Sequence, residues 1–185
     1  MTLRQNDPRW GSILLGDGPS TIGRSGCLLV CLTESVRLLT DRHDALPPHL
    51  NEELRQCDCF LGAALVVHEA ARVLNLESPR NECVMAPHGS PDLADAVETA
   101  LAKGHALIHV DHDSQREDGD PEGDHFILAV GFAKPDGMPM HVECYDPATG
   151  IPTWLSWPDL RATVRWGKAV KSYRAVSVRP IRRRA

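Results

Sequence analysis

No segment of this chain approaches the run of about 20 apolar residues that a membrane span requires. Residues 1 to 11 are polar and hold no apolar stretch of the kind a secretory leader needs. A surplus of positive charge is missing too: 20 Lys and Arg stand against 25 Asp and Glu, a formal net charge of -5. That balance removes any general electrostatic attraction to nucleic acid or to an anionic membrane. The glycine-rich signatures of phosphate-binding loops and the Gly-x-Ser-x-Gly element of serine hydrolases do not occur. Neither a repeat nor a linker divides the 185 residues, so one domain over residues 1 to 185 is expected. The 42% hydrophobic content is that of an ordinary globular chain, able to bury a core without disulfide or metal staples. The chain reads as cytoplasmic, or as exported or virion-associated without a recognisable leader; a component of a larger particle would look the same.

Six cysteines are present, Cys27, Cys31, Cys57, Cys59, Cys83 and Cys144. Without a secretory leader they read mostly as reduced thiols. Cys57 and Cys59 lack a second ligand pair at zinc-site spacing. The acidic stretch 111 to 124 lacks the glycine and glutamate of an EF-hand. His109, Asp111, His112 and Asp113 are the remaining candidates for holding a cation, and no cofactor or metal is expected. The basic cluster Arg179, Arg182, Arg183 and Arg184 reads as a solvated terminus.

Residues 5 to 26 are punctuated by glycine and proline and read as a loop-rich opening. The pattern then changes. Residues 27 to 39 carry apolar side chains at 27, 28, 31, 32, 36, 38 and 39, the spacing of a largely buried helix. Shorter helices are expected over 50 to 56 and 63 to 74. Ser90 and Pro91 are a helix start signal, and Gly104 stands where a C-terminal glycine cap belongs after Lys103. Strands are expected at 105 to 110, 125 to 132, 140 to 145 and 173 to 178. Helices first and hairpin-linked strands second describe an α+β domain with an antiparallel sheet.

Three residues on this scaffold carry chemistry. Cys27 follows a glycine and heads the buried helix, where the helix dipole and unpaired N–H groups favour a thiolate. Gly26 beside it is read as leaving room for a substrate backbone. Cys31, one turn on, should face the core. His125 opens an apolar strand, which gives a general base a rigid mount and an open front. Asp146 ends the neighbouring strand. If 125 to 132 and 140 to 146 form a hairpin, Asp146 comes to the same rim of the sheet as His125 and can orient the imidazole. His105 and His109 alternate along one strand and are expected to share a face. The acidic stretch 111 to 124 reads as a mobile surface loop, with gating of a cleft as the other reading.

Several segments in order resemble one family. QNDPRWG at 5 to 11, LGDG at 15 to 18 and TIGRSGCLLVCL at 21 to 32 are similar to the opening of the papain-like cysteine peptidases related to bacteriocin-processing, double-glycine leader peptidases. LPPHLNEEL at 46 to 54, KGHALIHVD at 103 to 111, DHFILAVG at 124 to 131 and YDPATG at 145 to 150 continue the likeness. The resemblance implies a papain-like fold, with N-terminal helices and a central helix carrying Cys27 packed on a C-terminal antiparallel sheet. It makes Cys27 the nucleophile, His125 the base and Asp146 the orienting carboxylate. Gln5 becomes the side-chain oxyanion donor beside the Cys27 amide; nearer the cysteine, where papain itself has its glutamine, this chain has Thr21. Leu28, Leu29 and Val30 depart from the small residues that often follow the family's cysteine.

The activity this implies is hydrolysis of a peptide or isopeptide amide through an acyl-enzyme, with a peptide or a peptidoglycan stem as substrate. A transfer reaction could use the same three groups. The alternative of another class is an idle papain-like binding or structural module, for example in a phage or secretion particle.

Overall fold

The computed structural model describes residues 3–111, 124–134, 140–166 and 169–184. Five α-helices and a large antiparallel sheet make up the described part, a mixed α+β architecture. A short helix α1 (Ile22–Ser25) runs directly into α2 (Cys27–Leu39). Next come α3 (Pro47–Gln56), a two-residue hairpin of β1 (Phe60–Leu61) and β2 (Ala64–Leu65), α4 (Val67–Val73), β3 (Leu76–Glu77), β4 (Val84–Met85) and α5 (Pro91–Leu101). The sheet is completed by β5 (His105–Asp111), β6 (Asp124–Ala133), β7 (His141–Tyr145), β8 (Pro152–Ser156), β9 (Arg161–Trp166) and β10 (Ala169–Arg183).

Strand order is β3-β10-β5-β6-β7-β8, with β4 and β9 also paired to β10. Alternation along β6 explains its apolar run. Phe126, Leu128 and Val130 pack into one cluster, with α2, α3 and α4. Ile127 and Ala129 pack into a second, with Leu93, Val97 and Ala100 of α5. Successive strand residues point to opposite faces, so a strand covered on both faces has no polar side to show. The sheet is thus a shared wall, with α2, α3 and α4 on one face and α5 on the other.

Several sequence expectations are corrected. The helix expected over 63 to 74 is shorter, because the β1–β2 hairpin turns at Gly62 with φ 66° and occupies residues 60 to 65. Gly104 has no left-handed φ. A Cβ there would meet the Ile181 carbonyl oxygen at 2.5 Å, so the glycine serves close packing of the chain against β10. The arginine tail belongs to β10: Ile181 is fully buried, and Arg182 makes ion pairs with Glu77 and Glu82 at 2.9 and 3.1 Å. Strands β8 and β9, and the first four residues of β10, formed where the sequence reading placed no element; their apolar residues alternate with polar ones too briefly to stand out. Residues 112 to 123, which include His112, Asp113 and nearly all of the acidic stretch, lie outside the described residues.

Candidate active site

The opening segment is fastened before it can contribute anything. Trp10 is 1% exposed and donates its indole N–H to the Arg4 carbonyl at 2.7 Å. The Asp7 carboxylate takes two bonds from the Arg9 guanidinium and one from the Arg9 amide. Asn51 of α3 pins the following loop, accepting from the Gly16 amide and donating to the Leu14 carbonyl, both at 3.0 Å. Thr21 caps α1, its hydroxyl accepting from the Arg24 amide at 3.3 Å.

Between α1 and α2 stands Gly26. A Cβ at this position would lie 2.4 Å from the Ile22 carbonyl oxygen and 2.8 Å from the Ile22 side chain. The space kept by Gly26 is therefore filled by the protein itself, and the expectation of room for a substrate backbone is replaced by tight helix-to-helix packing. Cys27 is the first residue of α2 and partly buried. Its thiol is in hydrogen-bonding contact with His125, and the backbone amides of Phe126 and Leu28 also reach it. Burial works against the thiolate here, but these donors and the charge on His125 outweigh it and hold the thiol below its ordinary pKa. Cys31 behaves oppositely. It is fully buried with its Sγ 3.5 Å from the Phe126 carbonyl, and burial pushes its pKa well up.

His125 is 2% exposed on β6. Its Nε2 lies 2.9 Å from Oδ1 of Asp146, which leaves Nδ1 as the ring nitrogen for the thiol. Burial alone would lower its pKa; the bonds to Asp146 and Cys27 reverse this and raise it to about 9. Asp146 is fully buried. Burial disfavours its charge, yet the bond and charge of His125, the Ala148 amide and the Tyr173 hydroxyl keep its pKa below the usual range. The pairing of β6 with β7 sets Leu128 opposite Tyr145, which carries the end of β7 beside the start of β6. After β7 the chain turns at once: the Ala148 amide bonds Oδ1 of Asp146 at 2.9 Å, and the Gly150 amide bonds its carbonyl at 2.7 Å, with Gly150 at φ 71°.

Cys27, His125 and Asp146 are thus brought together as a connected chain of hydrogen-bonding groups. Gln5 joins them from the side. Its backbone N–H donates to the Pro147 carbonyl at 2.9 Å, and its side-chain Nε2 donates to the Gly23 carbonyl at 3.1 Å. Its Oε1 is buried without a partner. Gln5 therefore bridges the turn after Asp146 and the helix ahead of Cys27, with a second Nε2 hydrogen still to place.

Among the described residues, no group of three or more His, Cys, Asp or Glu side chains could hold a metal ion. Cys59 is buried in the core while Cys57 is exposed. His105 is 7% exposed, and His109 stacks on Phe126 at 4.8 Å. The sequence reading missed Tyr173, fully buried on β10, whose hydroxyl donates to Oδ2 of Asp146 at 2.9 Å. Only its position in an alternating strand was visible, and that gives no hint of a partner 27 residues away. No family model, curated protein or solved structure matches the chain.

Proposed function

We propose that this protein is a papain-like cysteine hydrolase that cleaves a peptide or isopeptide amide bond. The observation that carries the reading is the partly buried thiol at the head of α2, in hydrogen-bonding contact with an imidazole whose other nitrogen is held by a buried carboxylate. A thiol paired in this way exists largely as thiolate with imidazolium. In the reaction the thiolate sulfur adds to the amide carbonyl carbon. Negative charge collects on the carbonyl oxygen, where the Cys27 amide and the second Nε2 hydrogen of Gln5 are the donors at hand. His125 then passes its proton to the departing amine as the C–N bond breaks, leaving a thioester on Cys27. Water, deprotonated by His125, attacks the thioester, releases the acid and restores the pair. Asp146 keeps the ring oriented and its charge balanced throughout.

Support comes also from the contrast between Cys27 and Cys31 on one helix, the first with a lowered and the second with a raised pKa. The test is hydrolysis of a panel of peptides, isopeptides and peptidoglycan stems by the full chain, read beside labelling with a thiol-directed electrophile. Wild type should cut at least one amide class, and Cys27→Ala should lose both cleavage and the fast-labelling thiol, leaving only slow labelling of the exposed Cys57. Labelling that persists at equal stoichiometry in Cys27→Ala, or cleavage that survives it, would sink the assignment. A reactive thiol with no turnover of any amide would favour the idle binding module.

A further inference from the structure

We propose that Tyr173 is a positioning residue of this site, holding the Asp146 carboxylate in the one orientation from which it can back His125; the proposal deepens the amide-hydrolase reading and rests on it. Asp146 is entirely buried, out of reach of bulk solvent. Oδ1 takes the His125 Nε2 and the Ala148 amide, both at 2.9 Å. Oδ2 takes the Tyr173 hydroxyl at 2.9 Å. The Ala148 bond comes from the same short turn as Asp146 and moves with it. Tyr173 instead comes from β10, the strand to which β5 and β9 are both paired, and is itself 0% exposed. With His125 of β6 on Oδ1, it ties the second oxygen, and so both sides of the carboxylate, to the sheet.

The ring of Tyr173 also stands 5.7 Å from that of His125, tilted by 47°. A donor at Oδ2 has a further consequence. An asparagine at 146 has a single acceptor oxygen and could not accept both from His125 and Ala148 on one side and from Tyr173 on the other, so the tyrosine favours a carboxylate at this position over an amide. Beyond catalysis proper, Tyr173 then helps to fix which charge state and which rotamer the third group adopts.

The experiment follows the rate of iodoacetamide alkylation at Cys27 from pH 5 to 10 in the full chain, with the exposed Cys57 as internal reference. Alongside it, the low-field proton resonance of the His125 ring N–H on Asp146 is recorded by NMR. In Tyr173→Phe the alkylation rate at neutral pH should fall roughly tenfold, the scale of losing one buried hydrogen bond to a charged group. The fast plateau should narrow and the ring resonance should shift. A variant whose pH profile and resonance superimpose on wild type, even at a lower melting temperature, would overturn the proposal and leave Tyr173 as core filling. Should the variant fail to fold, uniform 3-fluorotyrosine labelling keeps the test alive, since the chain has two tyrosines and Tyr145 bonds the Leu3 carbonyl instead. The more acidic phenol should draw charge from Asp146 and move the ring resonance upfield; an unmoved resonance rejects the proposal. If wild-type Cys27 reacts no faster than Cys57, the hydrolase reading itself fails, an outcome distinct from an unaltered Tyr173→Phe.

Discussion

Oδ1 of Asp146 and Nε2 of His125 lie 2.9 Å apart, both side chains at or near complete burial, although the residues stand 21 positions apart in the chain. A buried carboxylate and imidazole are each costly to desolvate, and the pair persists because every donor and acceptor in it has a partner.

Removing the carboxylate therefore costs more than one bond. Asp146→Ala takes away the acceptor of the His125 N–H and of the Tyr173 hydroxyl at a buried position. The expected loss is about 3–5 kcal/mol, the scale of breaking a buried pair on one side. Urea unfolding monitored by tryptophan fluorescence measures it; a loss below 1 kcal/mol would mean that water reaches the site.

The pH dependence of Cys27 follows from two opposed shifts. The thiol is lowered and the imidazole raised to about 9, so both shifts favour the ion pair, which breaks when His125 loses its proton. Alkylation of Cys27 should set in below the ordinary thiol range. His125→Ala should return it to a simple thiol curve near pH 8.5. The same shift has a stability side. A histidine with a raised folded pKa contributes stability that is whole below its unfolded value of 6.5 and is lost as pH rises through about 9. Wild type should thus lose stability over that interval more steeply than His125→Ala.

Gly26→Ala separates two uses of a small residue. Since the added methyl would lie 2.4 Å from the Ile22 carbonyl oxygen, α1 and α2 must shift apart. A stability loss of about 1–3 kcal/mol is expected, as for other overpacked sites. A variant with an unchanged melting temperature and a changed KM would instead return the space to the substrate.

Acid should act through His105. Burial lowers its pKa to about 4, and its Nδ1 has no partner. A group with a depressed folded pKa binds its proton in the unfolded chain first, so stability falls as pH drops from about 6.5 toward about 4. His105→Leu should remove roughly 3 kcal/mol of that decline. Denaturant midpoints measured across this interval decide it; parallel curves for the two proteins would refute it.

Much of the fold was legible because its determinants are local. The helix from Cys27 follows from apolar spacing, the start of α5 from Ser90 and Pro91, and β6 from an apolar run too short for a helix. The sequence reading also named Cys27, His125, Asp146 and Gln5, each from its place at the end of an element or from the family likeness. Beyond its reach were β8, β9 and the length of β10, whose few residues acquire strand character by pairing with neighbours.

Sequence alone determined which residue types stand at the mouths of the helix and the strands, since periodicity and turn chemistry act over a few residues. Tertiary structure decided the rest. It set Gly26 against Ile22, drew the arginine tail into the sheet, and brought Tyr173 to Asp146 across 27 residues. Such contacts depend on strand register and burial, which are properties of the assembled sheet and are carried by no local pattern of side chains.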